Sequence, residues 1–346
     1  MSAVDFHAYY QPPRFLEHLR KREHYPRIER TDAGEAVFTA PGAGRLLRPE
    51  QLDLDKRIEL MDKAGVQAQI LRLQNVGGID AFGADEAIDM ARMINEELSE
   101  IARRYPGRFI PFSAVPLQVP EKACEEVIHA VTQLGHRGVG ASCQVGGVGL
   151  DDPKYRPFLR TVEGLRVPVL VLPNHPSLLD ASLRPHQWLS GAFGFQVDLT
   201  WAALRLLASG ALEQMPGLIV IVANLGGVLA SITERLDEYW NRVHAGSTTM
   251  KQLPSTELRR MYYETASADP RAIALAASIL GSDRLLFGSD YPSFALERGM
   301  RNVLETGLPP ADIQAILSGN ASRLFSGATA REARGQLPVS LVEFGT

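Results

Sequence analysis

The sequence predicts an α/β fold, a (β/α)8 TIM barrel in which eight parallel strands alternate with helices. The chain has 346 residues, an ordinary length for one such barrel with insertions. Short apolar runs rich in β-branched residues occur at 3–7, 68–73, 109–115, 138–142, 167–172, 218–223, 261–265 and 284–288. Several of these runs lack polar alternation, which is typical of strands covered on both faces of a parallel sheet.

Helical patterns separate these strands, with apolar residues at helical spacing over 55–65, 85–105, 120–134, 198–209 and 270–280. Glycine closes or follows most of these segments because it readily adopts the left-handed conformation at helix ends; the residues are Gly65, Gly135, Gly210 and Gly281. Strands that alternate with helices form βα units, and eight such units close into a barrel.

Two segments fall outside this alternation. Residues 10–50 form a long insertion after the first strand that mixes aromatic, proline and charged residues, and we expect it to cover the barrel mouth as a lid. The tail at 326–346 is rich in glycine, alanine and arginine, and we expect it to lie on the surface or on a partner subunit. The predicted organisation is a single barrel over 1–325, with a lid-like insertion and a C-terminal tail.

The composition excludes several classes of protein. Apolar residues make up 45% of the chain and charged residues 22%, which fits a soluble globular protein. The formal net charge is only -4, so no nucleic-acid partner is expected. The chain has no uninterrupted run of 18 or more apolar residues, so a membrane span is not expected. Cys124 and Cys143 lack metal-type spacing, and with no signal region at the N-terminus we expect a cytoplasmic enzyme.

Polar side chains follow four of the predicted strands. His7 and Tyr9 follow the first strand, His175 the fifth, Asn224 the sixth and Asp290 the eighth. The carboxyl ends of barrel strands meet at one mouth, where the active sites of such barrels lie. Residues two apart on a strand point the same way, so His7 and Tyr9 are both expected to face this mouth.

An ordered series of motifs accompanies these strand ends: VDFHAY at 4–9, MDKAGV at 61–66, RYPGRF at 104–109, ASG at 208–210, GSDYP at 288–292 and GNASRLF at 319–325. The series resembles the amidohydrolase superfamily. The similarity is clearest to the branch that includes aminocarboxymuconate-semialdehyde decarboxylase and the aromatic-acid decarboxylases.

The resemblance implies a metal site with two residues changed. In that family an HxH pair on the first strand, a histidine on the fifth and an aspartate on the eighth bind one divalent metal, usually zinc. His7, His175 and Asp290 match these ligands, whereas Tyr9 replaces the second histidine of the pair. Asn224 replaces the strand-six histidine that acts on the bound water or substrate.

These replacements change the expected chemistry. A neutral phenol is a poor ligand, so zinc or another divalent metal is expected to be weakened or absent, and no organic cofactor is expected. Asn224 cannot exchange protons near neutral pH, although it can orient a water or hold a substrate oxygen. Asp290 would then serve as the general acid or base. The predicted catalytic residues are therefore Asp290, Asn224, His175 and Tyr9.

Further side chains are candidates for binding the substrate. Arg235 matches an arginine that is frequent in the family and could grip a carboxylate, although a structural salt bridge is an equal alternative. Trp188 could stack on a planar substrate or simply pack in its loop. Arg48, with Arg45, lies in the expected lid and is a weaker candidate for binding a carboxylate.

Two charged residues within predicted strands are harder to place. Glu264 lies where the family often has an acid on strand seven, and it could orient another site residue or be a buried structural carboxylate. Arg72 ends strand two and would point toward the mouth or toward the helices, depending on the strand register.

Three functions remain open at this point. The leading hypothesis is decarboxylation of a small carboxylated cyclic or aromatic metabolite, with Asp290 handling the proton. The second is metal-independent hydrolysis, as of a lactone, or another acid–base reaction such as cyclisation or hydration. The third is a non-catalytic relative that binds a small molecule. The resemblance also implies a homodimer.

Overall fold

The computed structural model describes residues 2–39, 41, 44–48, 52–74, 78–174, 187–243, 250–266 and 268–329. Its main sheet has eight parallel strands in sequential order, β1 Ala3–Asp5, β2 Val66–Leu71, β3 Phe109–Ser113, β4 Gly138–Ser142, β5 Val169–Leu172, β6 Val220–Val222, β7 Tyr262–Glu264 and β8 Leu285–Leu286. All eight predicted strands are confirmed, and most are shorter than predicted.

Backbone hydrogen bonds just beyond the strands close the sheet into a barrel. The Phe6 amide donates to the Phe287 carbonyl at 2.8 Å, and the Asp290 amide donates to the His7 carbonyl at 2.7 Å. An isolated bridge between Ala8 and Tyr291 continues this pairing. The two ends of the sheet therefore meet at the same place as the strand-end residues of the predicted site.

Helices flank the barrel on its outer side: α1 Pro13–Lys21, α2 Leu54–Ala64, α3 Ala84–Arg104, α4 Pro120–Thr132, α5 Arg156–Leu165, α6 Gln187–Leu189, α7 Phe195–Ala208, α8 Ala211–Gln214, α9 Leu229–Val243, α10 Pro254–Leu258, α11 Pro270–Ala276, α12 Leu296–Leu304, α13 Pro310–Gln314 and α14 Asn320–Thr329. Helix α2 shows why the ends fall where the sequence predicts. The Asp53 side chain accepts the Lys56 amide, and Gly65 ends the helix at φ 74°.

The insertion after β1 contains α1 and a small antiparallel sheet of Arg27–Thr31, Gly34–Phe38 and Gly44–Leu46. This sheet was not predicted. The Arg22 guanidinium anchors the insertion to the barrel, since it hydrogen-bonds Glu86 and lies 4.2 Å over the Phe82 ring. Arg45, on the last of the three strands, reaches the barrel mouth.

The C-terminal part of the chain partly departs from the predicted boundary at residue 325. Helix α14 continues to Thr329, and residues 330–346 of the predicted tail lie outside the described residues. Within the described part of the chain, no helix combines the length and the apolar character needed to cross a membrane.

Candidate active site

A cavity of about 500 Å3 lies at the carboxyl ends of the barrel strands. Side chains from distant parts of the chain line it: His7 and Tyr9 after β1, Arg72 after β2, Asn224 after β6 and Asp290 after β8. The structure thus brings together four of the strand-end residues singled out in the sequence. The fifth, His175, lies outside the described residues.

Glu264 fixes the orientation of His7. The His7 Nδ1 atom lies 2.7 Å from Glu264 Oε1, and both residues are buried. The same carboxylate accepts hydrogen bonds from the backbone amides of Asn224 and Ala266, each at 2.6 Å. Because a carboxylate holds Nδ1, the Nε2 atom of His7 faces the mouth, as in a metal-binding or substrate-binding histidine.

The charge state of His7 reflects a competition between burial and neighbouring carboxylates. Burial disfavours the imidazolium, but the negative charge and hydrogen bond of Glu264, with a smaller effect of Asp290, outweigh it. The pKa of His7 therefore lies above its ordinary value.

Asp290 is held in an unusual backbone conformation. Its φ is 61°, in the left-handed region that non-glycine residues rarely adopt, and Asn224 across the mouth has φ 51°. Such strain persists only where surrounding contacts enforce it, and it is often found at functional sites. The Asp290 side chain is 19% exposed, and its Oδ1 lies 3.6 Å from His7 Nε2.

The positions of His7 and Asp290 fit a shared metal ion. Two donors about 2.1 Å from one tetrahedral ion are roughly 3.4 Å apart, close to the 3.6 Å observed between Nε2 and Oδ1. Within the described residues, no cluster of three or more histidine, cysteine or acidic side chains forms a complete ligand set. A third protein ligand would have to come from His175, which the resemblance implies.

The two replaced positions are built into the site differently. The Tyr9 hydroxyl lies 2.6 Å from the Ser293 hydroxyl, which therefore engages the phenol oxygen. The side-chain Oδ1 of Asn224 is buried and has no hydrogen-bond partner within the described residues. An unsatisfied buried acceptor is costly, so this oxygen is suited to a donor on a ligand or a bound water.

Beneath the mouth, a buried polar network joins the first, second and last strands. The Asp5 carboxylate accepts the Ser289 amide at 2.9 Å, the Ser289 hydroxyl at 2.6 Å and the Gln69 amide nitrogen at 2.7 Å. Arg57, which is fully buried, donates to Gln69 at 2.7 Å and to the Tyr9 carbonyl at 3.0 Å. One hydrogen-bond network therefore holds the backbone on both sides of His7 and the residue that precedes Asp290.

The predicted substrate-binding residues are not in the cavity. Arg235 is exposed on α9, where its guanidinium lies 4.9 Å from the centre of the Tyr239 ring. Trp188 is 71% exposed on the one-turn helix α6. Arg48 lines a separate open depression with Glu35 and Leu52. Their contribution to substrate binding stays a prediction.

Several residues that line the cavity were not predicted from the sequence or were only weak candidates. Arg72 and Gln74 extend from β2, Ser293 and Phe294 follow β8, and Arg45 comes from the insertion. Arg72 offered a signal, because a charged residue within an apolar strand segment has to be accommodated inside the barrel or at its end. The others carry no local pattern that separates them from ordinary loop residues.

Comparison with known proteins agrees with this geometry. A family model described as amidohydrolase matches residues 4–327. Gamma-resorcylate decarboxylase of Rhizobium sp. is 32% identical over 317 residues, which cover 88% of this chain and 96% of the relative. The 2-amino-3-carboxymuconate-6-semialdehyde decarboxylase of Dictyostelium discoideum is 24% identical over 69% of this chain and 67% of its own length.

A solved structure extends the comparison to three dimensions. The dihydroxybenzoic acid decarboxylase of Polaromonas sp., with bound manganese and the inhibitor 2-nitroresorcinol, has a TM-score of 0.79 and 25% identity, covering 94% of this chain and 97% of that one. These relatives are decarboxylases, which supports an enzyme that removes CO2 from a carboxylated aromatic acid. The chain belongs to the amidohydrolase family, in its decarboxylase branch.

Proposed function

We propose that this protein decarboxylates a small aromatic acid and that Asp290 delivers the proton. The observation that carries the proposal is the convergence of His7, Asn224 and Asp290 on one cavity in a chain related to decarboxylases. The cavity volume of about 500 Å3 lies in the range of small-molecule sites.

The reaction replaces a C–C bond by a C–H bond. A protonated Asp290 gives its proton to the ring carbon that bears the carboxylate, and the C–C bond then breaks to release CO2. The electron pair of that bond returns to the ring, and Asp290 regains a proton from water through the open mouth. His7, fixed by Glu264, and the unsatisfied Asn224 oxygen position the substrate during this transfer.

The proposal includes a divalent metal that the site binds weakly. His7, His175 and, while it is ionised, Asp290 would hold the ion, which would supply a Lewis acid to polarise a substrate oxygen. The metal is zinc or another first-row ion, and the loss of one histidine donor at Tyr9 weakens its binding.

The proposal also includes a homodimer in the cytoplasm. Arg235 and Tyr239 are both exposed on α9, outside the cavity of their own chain. Their exposure makes α9 the candidate interface between the two copies. Sedimentation analysis of the wild type and of Arg235→Met tests the assembly, and a monomeric wild type would contradict this arrangement.

The test of the proposed activity is CO2 release from a panel of hydroxybenzoates and benzene dicarboxylates. We expect turnover of at least one acid, with one deuterium at the vacated ring position when the reaction runs in D2O. Asp290→Asn should lower the rate by roughly 100-fold or more, as expected for loss of a general acid. Full activity in this variant would exclude Asp290 as the proton donor, and hydrolysis without CO2 would contradict decarboxylation.

A further inference from the structure

A second large cavity lies at the amino ends of β6, β7 and β8, on the face of the barrel opposite the candidate active site. Its volume is about 1030 Å3, which is ample for a small molecule. The segments that precede these strands line it together with parts of α5 and α14. We call it the basal cavity. It is a space separate from the barrel mouth.

Arginine dominates the charged lining of the basal cavity. Glu163 is the carboxylate among the described lining residues. The chain as a whole has a formal net charge of -4, so this local excess of cations does not reflect a basic composition. The five guanidiniums belong to Arg160 on α5, Arg166 directly after it, Arg260 before β7, Arg284 before β8 and Arg323 on α14.

Two of these arginines already have carboxylate partners. Arg260 Nη1 lies 2.6 Å from Glu257 Oε2, and Arg284 Nε lies 3.3 Å from Asp283 Oδ2. The Arg284 guanidinium also lies 5.2 Å from the centre of the Tyr262 ring. These contacts hold both side chains in place and balance their charges.

The other three arginines have no carboxylate partner within the described part of the chain. The Arg323 guanidinium donates to the neutral side chain of Asn320. Among the described residues, no side-chain hydrogen bond or ion pair involves Arg160 or Arg166. Like charges that are gathered without partners raise the local positive potential, and a bound anion lowers their energy.

Glu163 does not remove this excess. Its Oε1 accepts the Gly217 backbone amide at 2.8 Å, so the carboxylate is tied to the segment before β6. One carboxylate balances at most one of the three unpaired guanidiniums. The basal cavity therefore favours a ligand with more than one negative charge.

Arg166 occupies a backbone position that favours glycine. It ends α5 with φ 57° and ψ 34°, in the left-handed region where a residue with a Cβ atom is disfavoured. Its side chain is exposed and lines the basal cavity. Local backbone structure therefore does not account for an arginine here, whereas binding of an anion does.

We propose that the basal cavity binds a small polyphosphate anion, in which two or more linked phosphate groups contact Arg160, Arg166 and Arg323. The planar fork of arginine matches pairs of phosphate oxygens, and linked phosphates carry several charges in a compact group. The volume also admits a nucleoside attached to the phosphates. A nucleic acid would need an extended basic surface, which a bounded cavity in a chain of net charge -4 does not provide.

Calorimetric titration with inorganic tripolyphosphate at fixed ionic strength tests the proposal. The wild type should bind it roughly tenfold or more tightly than orthophosphate, as one additional charged hydrogen bond provides. Arg166→Gly should weaken tripolyphosphate binding by a similar factor and yet retain or raise the melting temperature, because glycine suits this φ. Arg160→Met should weaken binding in the same way.

Two control variants locate the ligand. Arg103→Met changes an exposed arginine on α3 outside the cavity lining and should bind like the wild type. Asp290→Asn changes the barrel mouth and should also bind like the wild type. A changed affinity in Asp290→Asn would place the anion at the mouth, or on a metal held there, and would overturn the proposal.

Other results would also overturn the proposal. These are equal binding of orthophosphate and tripolyphosphate by the wild type, no binding of tripolyphosphate at millimolar concentration, unchanged binding in Arg166→Gly or Arg160→Met, and equal weakening in Arg103→Met. ATP distinguishes the sources of the phosphate chain. Tighter binding of ATP than of tripolyphosphate, lost in Arg166→Gly, would support a nucleotide, and equal or weaker binding would support an inorganic polyphosphate. The site does not depend on the proposed decarboxylation, which CO2 release tests separately.

Discussion

Glu264 and His7 are 257 residues apart in the chain, yet a 2.7 Å contact joins Glu264 Oε1 to His7 Nδ1 at the barrel mouth. Glu264 also receives two backbone amides, so its carboxylate is fully engaged and the imidazole has a single orientation. The acid on β7 therefore positions a side chain that follows β1.

Glu264→Gln should lower the catalytic efficiency by roughly 10- to 100-fold. A glutamine side chain has one oxygen that accepts hydrogen bonds, whereas the carboxylate has two. The measurement is kcat/KM for CO2 release. Glu257→Gln changes another buried acid, on α10, and should retain the wild-type kcat/KM per folded molecule. Equal activity of the two variants would show that Glu264 has only a structural role.

Gly288→Ala should disturb the contact between Glu264 and His7. An added Cβ would overlap Glu264 Oε2 and lie 3.0 Å from the Cβ of His7, so the carboxylate would have to move. We expect a loss of about 1–3 kcal/mol in the free energy of unfolding, together with reduced activity. Gly164→Ala, on α5, meets no atom within 4 Å and should leave both unchanged or slightly raise stability. Wild-type behaviour of Gly288→Ala in denaturant melts and assays would contradict this prediction.

Metal content should be below one equivalent in protein purified without chelators, because Tyr9 supplies a phenol already engaged by Ser293. Elemental analysis measures the metal, with a His175→Ala/Asp290→Ala double variant as the baseline. Tyr9→His should raise the affinity for zinc or manganese about tenfold or more, whereas Tyr9→Phe should not. A full equivalent in the wild type, removed in the double variant, would show that three ligands suffice.

His136 should contribute a loss of stability as the pH is lowered from about 6.5 to about 4. This residue is buried, burial lowers its pKa to about 4, and its Nε2 donates to the Asn95 carbonyl at 3.0 Å. The unfolded chain binds a proton in this range that the folded chain does not, so stability increases with pH by up to roughly 3 kcal/mol.

His136→Asn should flatten this pH dependence, and His24→Gln, a change of an exposed histidine, should not. Asp80 acts in the opposite direction, since burial raises its pKa to about 6, but its effect is common to all three proteins and cancels in the comparison. Chemical denaturation at pH 4.5, 5.5 and 6.5 provides the measurement. If the free energy of unfolding varied with pH in the same way for the wild type and His136→Asn, His136 would be excluded as a cause of the pH dependence.

The barrel could be predicted because its signals are local. Apolar runs and helix-ending residues such as Gly65 need only their neighbours in sequence. The small sheet of the insertion was missed, although Asp32 and Ala33 lie between its first two strands and Gly34 follows them, and aspartate and glycine favour turns. Its strands are short and highly charged, so their periodicity is weak.

The site was partly predictable for a different reason. Strand-end positions identify His7, Tyr9, Asn224 and Asp290, since any barrel brings strand ends together. The orientation of Arg72 depended on strand register, because a slip of one residue moves a side chain to the other face. Contacts between residues hundreds of positions apart, such as His7 with Glu264, leave no local trace in a single sequence.

The hydrogen bonds that join Asp5 to Ser289 have a consequence for how the protein is made. On the ribosome, the first strand emerges long before the last one. His7 acquires its neighbour Asp290 only when nearly the whole barrel has been synthesised. Until then the nascent chain has an open seam and no assembled site, so catalytic competence arrives with the final strand rather than growing gradually.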